Sequence, residues 1–150
     1  ACDLERTEDL DSIVVGCDAI IHLAGRAHVM SDGKVDASAA YESANTDVTR
    51  RLAECAANNG IRRFVFLSSI KVNGESTPNN KPFTSKDDPH PRDQYGISKL
   101  HAEQELQRVA GSTAMDCVII RTPLVYGTGV RANFHPHLKG SQSKRAGIQG

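Results

Sequence analysis

The 150-residue sequence has no net charge, because eighteen Lys and Arg balance eighteen Asp and Glu. Nothing in that balance draws in a polyanion, so nucleic acid is not expected as a partner. No apolar run approaches the roughly 20 residues that span a bilayer, and no membrane partner is expected either. Cys-x-x-Cys is absent: Cys2, Cys17, Cys55 and Cys117 are scattered along the chain. That pattern excludes a disulfide frame and a zinc site, and it reads as reduced, partly buried thiols in a cytoplasmic protein. His28, His90 and His101 share no ligand spacing and His135-Pro136-His137 lies in an irregular tail, so no metal is expected. No internal repeat is present, and the length suits one domain.

What is present is an alternation of buried strands and amphipathic helices. Ala19-Ile20-Ile21-His22-Leu23-Ala24 is nearly continuous in apolar residues and stops at Gly25, as a parallel strand buried on both faces would. In that strand His22 reads as a packed histidine rather than a ligand. Tyr41 to Asn59 predicts a helix, with Tyr41, Ala44, Val48, Leu52 and Cys55 on one stripe. Asn58-Asn59-Gly60 ends it, Gly60 serving as a left-handed cap. Arg63-Phe64-Val65-Phe66-Leu67-Ser68 predicts a second strand. Gly74 to Arg92 holds most of the six prolines and predicts a loop, at a length more typical of a functional lid than of a plain connection. Asp93 to Ala110 predicts a helix with Leu100, Leu106 and Val109 inward and Gly111 after it. Cys117-Val118-Ile119-Ile120-Arg121 predicts a third strand. Strand, helix, strand, loop, helix, strand is the order of right-handed crossovers in a doubly wound, parallel α/β sheet.

Three segments then fall at strand carboxyl ends, where open α/β sheets bind ligands: Ala24-Gly25, Ser68-Ser69, and Thr122-Pro123-Leu124-Val125-Tyr126-Gly127. The helix after Ser69 carries Tyr95 and Lys99, four apart and so on one face. A phenol with pKa near ~10 is a poor base at neutral pH, and a neighbouring ammonium favours its phenolate. The pair could therefore take a proton from an alcohol. Alone, such a pair is more often a solvated helix face; Ser69 upstream is what favours catalysis.

Together, His22-Leu23-Ala24-Gly25-Arg26-Ala27-His28-Val29, Phe66-Leu67-Ser68-Ser69-Ile70-Lys71-Val72-Asn73-Gly74-Glu75, Tyr95-Gly96-Ile97-Ser98-Lys99 and Arg121-Thr122-Pro123-Leu124-Val125-Tyr126-Gly127 resemble the extended short-chain dehydrogenase/reductase family. Within it the similarity is to the NAD-dependent epimerase/dehydratase enzymes of the UDP-sugar 4-epimerase group, over about residues 2 to 134. The resemblance implies a Rossmann-type fold and NAD as cofactor, with NADP left open. It implies Tyr95 as acid/base, Lys99 as the ligand of the nicotinamide ribose that lowers the Tyr95 pKa, and Ser69 as hydrogen-bond partner of the reacting sugar oxygen. At about 4 Å and an effective dielectric of about 20, an ammonium offers a phenolate roughly 4 kcal/mol before desolvation. It further implies Asp3 and Leu4 at the adenine, Leu23, Ala24, Gly25 and Arg26 along the cofactor, and Asn45 supporting that site. Thr122 and Pro123 would flank the nicotinamide, and Asn133 would meet the diphosphate of the nucleotide-sugar substrate. The implied reaction oxidises the sugar at C4 to the 4-keto sugar, turns it, and reduces its other face. A homodimer paired through the two helices is implied for the full-length protein.

The departures are as informative. The glycine-rich turn with which such folds begin is absent, so the reading is a partial NAD-binding Rossmann domain over 1–134, with about two βα units expected upstream. Residues 135–150 are polar, basic and without period; they read as a disordered or frameshifted tail. A fragment of this kind is expected to lack independent activity. Ile70 and Lys71 stand where dehydratases of the family carry an acidic pair, which argues against dehydration. A 4-keto sugar-nucleotide reductase and a non-catalytic nucleotide sensor stay open as alternatives.

Overall fold

Alternation inside Arg63-Phe64-Val65-Phe66-Leu67-Ser68-Ser69 decides how the sheet sits. Phe64 and Phe66 point to one face and are fully buried, while Val65 and Leu67 point to the other and are only partly covered. This strand, β2 (Arg63–Ser69), is central, with β1 (Ile20–His22) and β3 (Asp116–Thr122) parallel on either side. Ile20 pairs with Phe64, Phe64 with Cys117, and Ser69 with Thr122, so the carboxyl ends of β2 and β3 finish level. The computed structural model describes residues 2–27, 36–77 and 81–123.

The helices are α1 (Asp11–Val14), α2 (Ala37–Tyr41), α3 (Val48–Asn58) and α4 (Gln94–Gly111). A π-helical turn, Glu42–Asp47, joins α2 to α3, so the first helix is longer than its sequence stripe and wider at its start. The buried line is Ala44, Val48, Leu52 and Ala56, with Cys55 half-buried beside it. The end of α3 is a Schellman motif. Ile61 N–H donates to Ala56 O (3.0 Å), Gly60 N–H donates to Ala57 O (3.0 Å), and Gly60 sits at φ +74°. Gly111 belongs to the last turn of α4 rather than lying after it, and Leu100 is half-buried.

Val14, Leu52, Ala53, Phe64, Phe66, Ala102, Leu106 and Val109 form one core between α3, α4 and that face of the sheet. The expected burial of the strands on both faces is corrected here. Ile21 is 67% exposed, Leu23 64%, and Val118 and Ile120 are exposed as well. Among the described residues the helices pack on the Phe64–Phe66 side, and on the opposite side Ile21, Val118 and Ile120 stay exposed while Val65 and Leu67 are half-buried. The sheet is therefore the parallel α/β sheet expected, clothed on one face.

Candidate functional site

Ser69 ends β2 and begins a single 3₁₀ turn, Ile70–Val72, where its Oγ accepts from Lys71 N–H (3.3 Å). Asp93 caps α4: its Oδ1 accepts from Gly96 N–H at 2.7 Å. The cap starts the helix one residue before Tyr95, which brings Tyr95 to the end of β2. There the Ser69 hydroxyl lies near enough to the Tyr95 phenol to favour its phenolate, and the Tyr41 ring lies 6.1 Å from the Tyr95 ring. Burial raises the Tyr95 phenol above its usual 10.0, while Ser69 and the charge of Lys71 pull the other way. The phenol thus holds its proton at neutral pH.

Lys99, one turn on, is 3% exposed. Its Nζ donates to Leu67 O (2.7 Å) and sits 4.1 Å from the centre of the Phe66 ring. Burial lowers its pKa to about 8, with the Glu103 carboxylate pulling upward. The side chain is drawn to the strand carbonyl and the aromatic face.

Asn45, in the π-helical turn and 1% exposed, links three elements. Its Oδ1 accepts from Arg26 N–H (2.8 Å), and its Nδ2 donates to Arg26 O (3.1 Å) and Ser98 Oγ (2.9 Å). A Cβ on Gly25 would stand 3.0 Å from Asn45 Oδ1 and 3.6 Å from Lys99 Nζ. A side chain there would push Asn45 Oδ1 aside by a few tenths of an ångström, so glycine lets Asn45 and Lys99 pack closely behind the strand end. Beside it opens a cleft of about 530 Å³ lined by Asp3, Leu4, Glu5, Ala24, Gly25 and Arg26 among others, within the usual size of small-molecule sites. Arg26 reaches Glu5 at 3.8 Å across the cleft, and Arg51 donates to Leu4 O (3.3 Å) and Thr7 O, holding the Asp3–Leu4 segment in place.

The residues expected from the sequence therefore fall into two groups side by side. Asp3, Leu4, Ala24, Gly25 and Arg26 wall the cleft, with Asn45 and Lys99 against Gly25. Ser69 and Tyr95 meet at the end of β2, with Thr122 next to them: Thr122 Oγ1 donates to Ser68 O (3.2 Å). Pro123 follows, exposed. Leu23 is not in the cleft wall but on the uncovered sheet face. Asn133 and the 135–150 tail lie outside the described residues. Among the described residues no cluster of His, Cys, Asp or Glu could hold a metal ion, and no helix is long and apolar enough to cross a membrane. His22 is buried with Nε2 3.1 Å from Thr49 Oγ1, as a packing residue would be.

Sequence reading missed a buried ionic network behind the serines. Glu103, 2% exposed, accepts from Ser68 Oγ and from Arg121 Nε (3.0 Å) and Nη2 (2.7 Å). Arg121 Nη1 also donates to Asn73 Oδ1 (3.2 Å). The signal available was the spacing of Glu103, four residues after Lys99 on the same helical face.

A model of the NAD dependent epimerase/dehydratase family matches residues 1–145. A UDP-glucose 4-epimerase of Vibrio cholerae is 42% identical over 132 residues, 88% of this chain and 40% of that protein. Among solved structures, a short-chain dehydrogenase/reductase superfamily protein from Agrobacterium tumefaciens with bound NAD is 35% identical, with a TM-score of 0.68 over 79% of this chain and 35% of that one. The UDP-glucuronic acid 4-epimerase of Bacillus cereus, in complex with UDP-glucuronic acid and NAD, is 27% identical with a TM-score of 0.69, covering 80% and 37%. The chain thus spans about two fifths of the length of the relatives it matches.

Proposed function

Since the chain belongs to the NAD-dependent epimerase/dehydratase family, we propose that the whole protein inverts a nucleotide sugar at C4, of the UDP-glucose/UDP-galactose type. The observation that carries this reading is the meeting of Ser69 and Tyr95 at the carboxyl end of β2, beside the cleft walled by Gly25 and backed by Asn45 and Lys99.

The residues present fit NAD, because Asp3, Leu4, Ala24, Gly25 and Arg26 wall one open cleft of about 530 Å³ with Lys99 and Asn45 behind Gly25. Asp3 and Leu4 would hold its adenine end, Ala24, Gly25 and Arg26 its length, and Lys99, Thr122 and Pro123 its nicotinamide end. When bound, NAD supplies reversible acceptance of a hydride from the sugar carbon. Burial keeps the phenol protonated, so Tyr95 acts from its phenolate form, which nearby positive charge favours: the phenolate takes the 4-hydroxyl proton as the 4-keto sugar forms and returns it on reduction. Ser69 donates its hydroxyl proton toward whichever oxygen carries negative charge, phenolate or sugar alkoxide. Asn45 fixes the Gly25–Arg26 backbone, so the cleft keeps its shape as the sugar turns. Asn133 is assigned to the substrate diphosphate.

The test is an assay of the protein at the length of its relatives, with UDP-galactose and UDP-glucose followed by NMR. Interconversion without net consumption of NAD is the expected result, and Tyr95→Phe should lower turnover by about 10²- to 10⁴-fold while leaving NAD binding intact. Consumption of stoichiometric reduced cofactor would instead make it a reductase, and full turnover by the Phe variant would sink the assignment of Tyr95.

A further inference from the structure

Lys71 takes no part in the reaction as proposed, yet it bonds both to Ser69 and to Asp93, the cap of the helix that carries Tyr95. Its backbone N–H donates to Ser69 Oγ (3.3 Å), which uses up an acceptor position and leaves the serine proton free to be donated to Tyr95. Its ammonium donates to Asp93 Oδ2 (2.6 Å) and to Glu75 Oε1 (2.8 Å) and Oε2 (3.1 Å). Asp93 is the cap of α4, its other oxygen accepting from Gly96 N–H. The two elements are also pressed together at this point: a Cβ on Gly96 would stand 2.9 Å from Lys71 O. The same 3₁₀ turn is pinned from the far side, where His90 N–H donates to Val72 O (2.9 Å).

We propose that Lys71 is a positioning residue: its amide and its ammonium hold Ser69 and the first turn of α4 in one frame, so that the serine hydroxyl and the Tyr95 phenol meet. The proposal rests on Ser69 and Tyr95 being the reacting pair. The ammonium has a second effect. The charged and titratable groups facing Tyr95 are Asp93 at its own helix cap, Lys71 from the turn after β2, and Tyr41 from α2, with the neutral Ser69 hydroxyl between them. Asp93 disfavours the phenolate and Lys71 favours it, so the clamp that positions the phenol also offsets the charge of the cap beside it.

The chain labelled with [ζ-¹³C]tyrosine gives a phenol titration by NMR, with the Tyr95 signal assigned by its loss in Tyr95→Phe. Lys71→Met should raise the Tyr95 midpoint by on the order of half a pH unit or more, and Lys71→Arg should restore it. Asp93→Asn keeps a good cap but removes the negative charge, so it should lower the midpoint. A lysine that merely stabilised the fold would not move the midpoint in opposite directions in these two variants. The proposal is overturned if both variants titrate at the wild-type midpoint; should Lys71→Met fail to fold, Asp93→Asn alone decides. Turnover of the longer protein separates this from the reaction reading. Turnover that depends on Tyr95 but ignores Lys71→Met sinks the proposal alone, whereas turnover that ignores Tyr95 sinks both.

Discussion

Glu103→Gln is the sharpest perturbation of the ground on which the site stands. The carboxylate is almost fully buried, and it binds Ser68 Oγ and the Nε–Nη2 edge of the Arg121 guanidinium, joining α4 to the ends of β2 and β3. An exposed ion pair would be worth under about 1 kcal/mol. Here the amide of glutamine keeps one oxygen but turns an NH₂ group toward a guanidinium that can only donate. The loss is one charge-assisted hydrogen bond outright, the charge assistance of the others, and a cation left partly buried. Arg121 keeps 22% of its side chain exposed and holds Asn73, so water recovers part of that cost. The expected destabilisation is about 2–4 kcal/mol. Urea unfolding followed by far-UV circular dichroism should show it as a lower midpoint at unchanged slope. A second readout follows, because Glu103 is the charge that props up the Lys99 ammonium; its removal should lower the Lys99 midpoint below about 8, read by NMR of the lysine side chain. A stability change under about 1 kcal/mol together with an unmoved Lys99 would refute the picture of a buried, coupled network.

His22 should make the chain acid-sensitive. Burial holds its pKa at about 4 against a usual 6.5, so the stability it permits is complete above pH 6.5 and is lost as pH falls toward 4, by up to about 3 kcal/mol. The difference in urea stability between wild type and His22→Leu, taken across that range, should carry this slope; a flat difference would contradict it. Lys99 has the same sign on the alkaline side, since its pKa of about 8 lies below the usual 10.5, and stability should climb between those two pH values in wild type but not in Lys99→Met. Gly25→Ala should cost about 1–2 kcal/mol by driving a methyl against Asn45 Oδ1, and calorimetry should find ADP-ribose binding weakened roughly tenfold; unchanged binding would mean that the Asn45 contact does not shape the cleft. Phe64→Ala, in the fully buried centre of β2, should destabilise by about 3–5 kcal/mol in the same urea assay, and a cost under about 1 kcal/mol would mean the core was misplaced.

The order of strands and helices was legible because its signals are local. Asp93 ahead of Tyr95 is a cap, Gly60 after Asn59 is a left-handed stop, and both act within a turn of where they stand. Ser69, Tyr95 and Gly25 were singled out through the resemblance of four short motifs, and Asn45 separately through its place near the start of the first helix. What stayed hidden depends on partners distant in sequence. Nothing around Glu103 announces that Arg121 and Ser68 will surround it. The spacing of Lys99 from Tyr95 was visible, whereas the carbonyl of Leu67 and the ring of Phe66 that hold its ammonium were not. The uncovered face of the sheet was misread for a related reason: Ile21 and Val118 are as apolar as core residues, and composition cannot say whether a layer lies over them.

The π-helical turn between Tyr41 and Val48 winds in one residue more than an α-helix would. Each residue of an α-helix advances the face by about 100°, so that extra residue sets two directions independently. Ahead of it Tyr41 lies over Tyr95; behind it Val48, Leu52 and Ala56 keep to the core. Asn45 sits within the turn and reaches Arg26 from there. The segment should therefore accept many changes of residue but not a change of length. Removing one position between 42 and 47 would straighten the helix and force a choice between aligning its core face and aligning its ligand-side face. Among relatives that share this architecture, the spacing from Tyr41 to Val48 should vary less than the identity of the residues that fill it.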